Sequence, residues 1–467
     1  MRGLKSMSPA VIVLACLAGS PVLAQDAKSL PQSRADMQMS FAPLVKQTHG
    51  AVVNVYAERI VQSRVNPFAG DPFFQQFFGQ RFPNRTERQT SLGSGVIVEA
   101  NGTVMTNFHV IAGADDIKVS LSDGREYPVK VVLKDERLDL AVLKIDAKES
   151  LPTLKIADSD KIEVGDLVLA IGNPFGVGQT VTSGIVSGLA RNQVSEGDFG
   201  FFIQTEASIN PGNSGGALMN MNGELIGLNT AIFSKGGGSN GVGFAIPANL
   251  VKVFLEAADK GASSFERPYV GATFEPVTSD VADALGLKQV LGALVTKTVE
   301  GGPADKAGIK AGQVITAVDG VIVEHPDALN YRLTTIGLGK SVTLNVIDNG
   351  KPKDITLTLA GAPETRPRDE QVIKNNSPFE GATVGNLSPR LAFELKLNTQ
   401  TTGVAITALA DGSVAQRLGF QLGDIIVSIN GTEVTSSRDM VQIAKSSPAY
   451  WRIEIDRNGQ RIRQMFR

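Results

Sequence analysis

From about residue 50 the chain is written in short apolar runs separated by clusters of Gly, Asn, Asp and Ser. Val52-Val53-Asn54-Val55-Tyr56, Gly95-Val96-Ile97-Val98, Ile117-Lys118-Val119-Ser120-Leu121, residues 140–145 and residues 168–171 all have the composition of strands. In this region only residues 249–260 carry a helical period. Short strands with turn residues between them favour closed antiparallel barrels over a parallel sheet, whose crossovers need helices. The 49 glycines, against an aromatic content of 6%, fit a chain with many tight turns. The expectation is a mainly β protein whose first large unit, residues 25–262, is a pair of barrels.

The N-terminus follows another pattern. Arg2 and Lys5 precede an apolar stretch over residues 10–18, and Val22-Leu23-Ala24 places small residues before Gln25. That is the layout of a cleavable secretory signal over residues 1–24, too short an apolar run to span a bilayer. Cys16 offers a second reading, a lipoprotein site, at the expense of a very short apolar region. Cleavage after Ala24 would remove the chain's one cysteine. The mature protein is then expected to be exported to the periplasm, free of disulfides and without an integral membrane segment.

Composition narrows the chemistry further. Lys+Arg 45 against Asp+Glu 47 gives no excess of cations for nucleic acid, so no nucleic-acid partner is expected. One Cys and three His cannot build a Cys/His zinc cluster, and no metal or other cofactor is expected.

The second half of the chain repeats itself. Gly292-Ala293-Leu294-Val295-Thr296 aligns with Gly403-Val404-Ala405-Ile406-Thr407. At the same spacing Ala304, Gly308, Gly312, Ile315 and Gly320 fall on Ala415, Gly419, Gly423, Ile426 and Gly431. Each copy later carries an Asn-Gly hairpin signal, Asn349-Gly350 and Asn458-Gly459. The copies occupy residues 267–362 and 377–467, and the polar, charged stretch 363–376 with Pro367 reads as a linker. The pattern Pro303-Ala304, Ala307-Gly308-Ile309, Gly312-Gln313-Val314-Ile315 and Val318-Asp319-Gly320 resembles PDZ domains of the bacterial protease-associated type, small β-barrels with helices. Gln313 departs from the Asp usual there; the second copy keeps Asp424. Such domains add a peptide strand to a sheet edge and hold its carboxyl terminus on backbone amides. The resemblance implies that Tyr269-Val270-Gly271-Ala272 is the carboxylate-binding loop of the first copy, with a weaker match at residues 382–386 in the second.

Three segments carry chemistry: Thr106-Asn107-Phe108-His109-Val110-Ile111-Ala112-Gly113, Asp139-Leu140-Ala141-Val142-Leu143 and Gly212-Asn213-Ser214-Gly215-Gly216. A serine hydroxyl becomes a useful nucleophile when a base takes its proton, and an imidazole held by a carboxylate is suited to that task. Glycines around Ser214 permit the tight turn that aims backbone N–H groups at an oxyanion. The order His109, Asp139, Ser214 is that of chymotrypsin-type enzymes. The same letters satisfy G-x-S-x-G, the nucleophile elbow of α/β-hydrolases, which requires a helix after the serine. Here residues 217–228, with Asn222-Gly223 in the middle, read as a hairpin. Residues 236–241 spell G-x-G-x-x-G, but strand-like residues follow them, so they read as a loop.

Together these motifs resemble the HtrA/Deg serine endoproteases, a chymotrypsin/trypsin-like double β-barrel followed by two PDZ domains. The resemblance covers nearly all of the chain beyond residue 24. It implies His109 as general base, Asp139 as its orienter, Ser214 as nucleophile, and the amides of Gly212, Asn213 and Ser214 around the oxyanion. It places Ser208 and Ile209 beside the specificity pocket, faced by Thr230-Ala231-Ile232. A pocket without a carboxylate penalises a buried cation, so cleavage after small aliphatic residues such as Val or Ala is expected. Six phenylalanines, Phe68, Phe73, Phe74, Phe77, Phe78 and Phe82, crowd the Pro- and Gly-rich insert over residues 60–89. By residues alone this is either a local core cluster or an exposed patch that needs a partner. The resemblance makes it a regulatory loop that reaches a neighbouring subunit, and makes Arg191, expected in a loop over residues 188–198, a sensor of activation. It further implies homotrimers, larger cages around unfolded or misfolded substrates, and capture of their C-terminal peptides. The activity implied is ATP-independent proteolysis; the alternative is a chaperone cage in which proteolysis is secondary or latent.

Overall fold

Strands that are apolar on both faces, such as Leu140–Ile145, have to be covered on both sides, and the architecture supplies two covers for each. The computed structural model describes residues 40–63, 85–173, 178–191, 201–210, 212–232, 240–287, 289–395, 397–399, 401–446 and 448–466. The segment 1–24 and the phenylalanines Phe73, Phe74, Phe77 and Phe78 lie outside them. The first barrel closes in the order β1-β2-β3-β6-β5-β4: β1 (Val52–Ser63), β2 (Arg85–Glu99), β3 (Thr103–Thr106), β4 (Asp116–Ser120), β5 (Glu126–Asp135) and β6 (Leu140–Ile145). The second closes as β10-β11-β12-β9-β8-β7: β7 (Leu167–Gly172), β8 (Thr180–Arg191), β9 (Phe202–Thr205), β10 (Ala217–Met219), β11 (Leu225–Ile232) and β12 (Gly243–Pro247).

Strand periodicity decides which core each residue enters. On β1, Val53 and Val55 fill the first barrel while Val52 turns outward; on β7, Val168 and Ala170 fill the second while Leu169 and Ile171 turn outward. The outward set joins with Met105, Leu140, Met219 and Phe244 in a core between the barrels, and that core continues under the helix Ala248–Asp259. Arg191 ends β8, so residues 188–191, expected in a loop, are strand paired to β9.

The first repeat forms a sheet of order β13-β14-β15-β17-β18: β13 (Ala272–Pro276), β14 (Ala293–Thr298), β15 (Val314–Val318), β17 (Ser341–Asp348) and β18 (Lys351–Thr358), with β16 (Val321–Ile322) on β15. The second repeats it as β20-β21-β22-β24-β25: β20 (Ala382–Asn386), β21 (Val404–Leu409), β22 (Ile425–Ile429), β24 (Trp451–Arg457) and β25 (Gln460–Phe466), with β23 (Thr432–Glu433) on β22. Even the irregularities coincide: the bulge at Thr273/Phe274 recurs at Thr383/Val384. One addition was not expected. Part of the stretch read as linker is a strand, β19 (Gln371–Val372), paired to the outer edge of β20. No described helix is long and apolar enough to cross a membrane.

Candidate active site

His109 sits on the one-turn helix Phe108–Ile111, directly after β3, and Asp139 immediately precedes β6, the strand paired to β3. Two neighbouring strand ends thus bring the residues together. His109 Nδ1 lies 2.9 and 2.8 Å from the two Asp139 carboxylate oxygens, and the His109 backbone N–H donates to Oδ1 at 2.9 Å. A carboxylate accepts only, so Nδ1 carries the proton and Nε2 is left as the basic nitrogen. Asp139 adopts φ 52°, a left-handed conformation that Asp tolerates better than most residues. Asn107 Nδ2 holds its carbonyl at 3.0 Å.

Ser214 comes from the second barrel, on the turn before β10. The segment after it is the β10–β11 hairpin and not a helix, which removes the α/β-hydrolase elbow. Gly215 has φ 81°, and a Cβ there would lie 2.1 Å from the Ser94 carbonyl oxygen and 2.4 Å from Thr106 Oγ1. The turn and the first barrel touch too closely for any side chain.

Thr230, on β11, links the two halves. Its hydroxyl donates to Asp139 Oδ2 at 2.6 Å and its carbonyl accepts the Ser214 hydroxyl at 3.1 Å. Among the described residues no hydrogen bond joins His109 to Ser214, so the nucleophile's proton points at Thr230 in this structure. On the sequence Thr230 was grouped with the pocket; its hydroxyl instead faces the carboxylate.

The turn's amides differ in what they do. Asn213 N–H donates to the Asn210 carbonyl at 2.9 Å, so this amide, grouped with the oxyanion donors on the sequence, is spent within the turn. The amides of Gly212 and Ser214 donate to no described residue. Ser94 on β2, which sequence reasoning missed, fastens this turn across the barrel interface. Its N–H donates to the Ser214 carbonyl at 2.8 Å, and its Oγ donates to the Gly212 carbonyl at 2.6 Å and accepts Asn173 N–H at 2.8 Å. The available signal was a polar residue between two glycines, Gly93 and Gly95, directly before the apolar run Val96-Ile97-Val98.

Ser208 is half-buried, and its carbonyl accepts from the Thr182 hydroxyl at 2.9 Å. Ile209 is buried in the second barrel's core. Ala231 and Ile232 follow Thr230 on β11, paired with Phe244 and Gly243. In the first repeat Tyr269 and Val270 are buried, Gly271 has φ 72°, and Ala272 opens β13. The carbonyls of Val270 and Gly271 accept from Ala304 and Val299, whereas the amides of Val270 and Gly271 donate to no described residue. Burial raises the Tyr269 phenol above its ordinary pKa.

A histidine–carboxylate pair on one barrel and a glycine-rich serine turn on the other, followed by two strand-edge modules, define a trypsin-like serine peptidase with PDZ domains. Family descriptions agree: a trypsin-like peptidase domain matches residues 93–228, and PDZ domains match residues 268–359 and 406–448. The chain is 38% identical over 449 residues to the periplasmic pH-dependent serine endoprotease DegQ of Escherichia coli (strain K12), covering 95% of both chains. It is 38% identical over 429 residues to a probable periplasmic serine endoprotease, DegP-like, of Marinomonas sp. (strain MWYL1), covering 88% of this chain and 89% of the relative. Among solved structures, HtrA-type protease AlgW with decapeptide is 41% identical and superposes with a TM-score of 0.53, covering 70% of this chain and 99% of its own. The chain therefore belongs to the HtrA-type family of periplasmic serine endoproteases.

Proposed function

We propose that the protein cleaves unfolded or misfolded polypeptides in the periplasm without ATP, through an acyl-enzyme on Ser214. The observation that carries this reading is the Thr230 bridge, which ties the His109–Asp139 pair and Ser214 into one hydrogen-bonded unit across two barrels. Catalysis requires the Ser214 hydroxyl to turn from the Thr230 carbonyl to His109 Nε2. Ser214 Oγ then attacks the scissile carbonyl carbon as His109 takes its proton, and Asp139 stabilises the imidazolium. The free amides of Gly212 and Ser214 receive the oxyanion; loss of one such donor typically costs about 10²–10³ in rate. Collapse breaks the C–N bond, and His109 returns the proton to the departing amine. Water, deprotonated by His109, then attacks the acyl carbon; the bond to Ser214 Oγ breaks, and His109 returns the proton to that oxygen.

Ser208, Ile209 and the strand end Thr230-Ala231-Ile232 offer no carboxylate to a cationic side chain, which supports cleavage after Val or Ala. The unspent amides beside Tyr269 to Ala272 support capture of C-terminal carboxylates by the first PDZ domain. Assembly as trimers, and as cages around substrate, with the Phe73–Phe78 segment and Arg191 governing activity, completes the proposal. The bond from Ser214 to Thr230 favours a resting enzyme, so holding of clients is compatible with the same site.

Wild type and Ser214→Ala are to be compared on casein, with mass measured by light scattering. The variant is expected to lose on the order of 10⁵–10⁶ of the rate while still binding substrate. Undiminished degradation by the variant overturns the assignment.

A further inference from the structure

The outer edges of β13 and β20 occupy equivalent places in the two PDZ domains and differ in one respect. Among the described residues no strand pairs the outer edge of β13, and its five residues are half-buried or exposed. On β20 four of the five are buried, because the chain's own residues cover them. β19 runs antiparallel along β20, with Gln371 opposite Val384 and Val372 opposite Thr383. Beyond it, Ile373 N–H donates to the Ala382 carbonyl at 2.9 Å, and its carbonyl accepts Gly381 N–H at 2.8 Å. Gly381-Ala382-Thr383 aligns with Gly271-Ala272-Thr273, so this amide belongs to the turn that would hold a ligand's terminus. The Ile373 side chain, 1% exposed, lies in the core that also contains Val384 and Met440, the latter on the helix Ser437–Ala444. At the other end Asp369 accepts from Arg438 Nε at 2.6 Å and from Ser437 Oγ at 3.4 Å, both on that helix's first turn. Asn375 Nδ2 donates to the Ala444 carbonyl at its last.

An extended segment, antiparallel to the edge strand, with an aliphatic residue buried beside the glycine turn, is the bound state of a strand-adding peptide. We propose that the second PDZ domain has a working peptide groove that is filled in cis by residues 369–373. The groove then accepts other extended peptides, with an aliphatic residue at the Ile373 position, only when this segment leaves. The first domain, whose edge no described strand pairs, is the one that meets substrate ends. This inference rests on the reading of PDZ edges as peptide sites, not on proteolysis.

The test uses the full chain in a Ser214→Ala background and a fluorescent peptide, Arg-Pro-Arg-Asp-Glu-Gln-Val-Ile, copied from residues 366–373 and ending in a free carboxylate. Ile373→Asp is expected to bind this probe at least about tenfold more tightly than its parent, because the competing segment no longer occupies the site. The gain is accompanied by slowed hydrogen exchange at the Gly381 amide. A Cys16→Ser chain carrying a Val372→Cys/Thr383→Cys disulfide is expected to show no such gain even with Ile373→Asp. Trp451, the chain's one tryptophan, is buried in the second domain and reports its folding. Should Ile373→Asp shift its emission, Ile373→Ala replaces it under the same criterion. A folded variant with no gain, or a parent that already protects Gly381 on adding probe, overturns the inference. Exchange at Gly271 and Ala272 is followed in parallel: failure there as well sinks the peptide-site reading itself, whereas failure at Gly381 alone sinks only the cis occupancy.

Discussion

The two PDZ domains share strand order, bulge and hairpin, yet they stand in different relations to the rest of the molecule. The first shares most of its core with the protease and keeps only a small cluster of Val277, Ala282 and Val314 apart. One apolar cluster runs from Ala51 between the two barrels to Leu359, and the second domain's clusters are separate from it. The junction is specific: Tyr331 of the first domain's helix Pro326–Ile336 stacks on Phe201 at 3.8 Å and 6°, and its hydroxyl donates to Asp160 at 3.2 Å. Arg332 pairs with Asp160 at 2.7 Å and lies 6.0 Å from the Phe201 ring centroid. Phe201 immediately precedes β9. The second domain meets its neighbour through exposed and half-buried charges such as Arg390 with Glu266. Duplication has thus yielded one domain welded to the protease and one that folds around its own linker.

That contrast can be broken at several points. The largest effect is expected from Tyr331→Ala, which removes a fully buried aromatic from the joint core at a cost of about 3–5 kcal/mol. Calorimetry should then separate the first PDZ domain from the barrels as its own transition, and an unchanged single transition would refute the shared core. Next comes a bridge that the two copies build from exchanged residues. In the second, Asp424, 0% exposed, is held by Arg457 at 2.6 Å; in the first, Gln313 Nε2 donates to Asp348 at 2.9 Å. Arg457→Met strands a buried carboxylate and should cost about 3 kcal/mol. Gln313→Ala removes a neutral partner and should cost about 1 kcal/mol. Urea titration by Trp451 emission should register the first substitution and not the second.

The smallest effect concerns pH. The hydrogen bond from Arg438 holds the Asp369 carboxyl below the usual carboxylate range. A group whose folded pKa is depressed contributes stability above its unfolded value, about 3.9, and loses it as pH falls through the folded value. Gly381 protection, the factor by which its exchange is slower than that of an unstructured amide at the same pH, should therefore be constant from neutrality to about pH 5 and fall only below about pH 4. Loss of protection already near pH 6 would show that another group holds the linker.

Local patterning carried the strands, the repeat and the three chemical motifs into view, because each is written over a few consecutive residues. What stayed hidden depends on partners far apart in the chain. Ser94 acts on a turn 118 residues away and Thr230 on a carboxylate 91 residues away. Residues 363–376 looked like a linker because their composition is polar, and one buried isoleucine with backbone pairing overrode it. Arg191 is expected in a loop by the resemblance alone, whereas pairing to β9 keeps it in strand.

Ser94 has a developmental consequence. The loop bearing the nucleophile has its footing in the opposite barrel, so a nascent chain with only the first barrel complete holds His109 and Asp139 but no fixed serine for them to act on. Hydrolytic capacity arrives last, at the moment the halves dock. An enzyme built this way stays harmless to other chains until its own folding is finished.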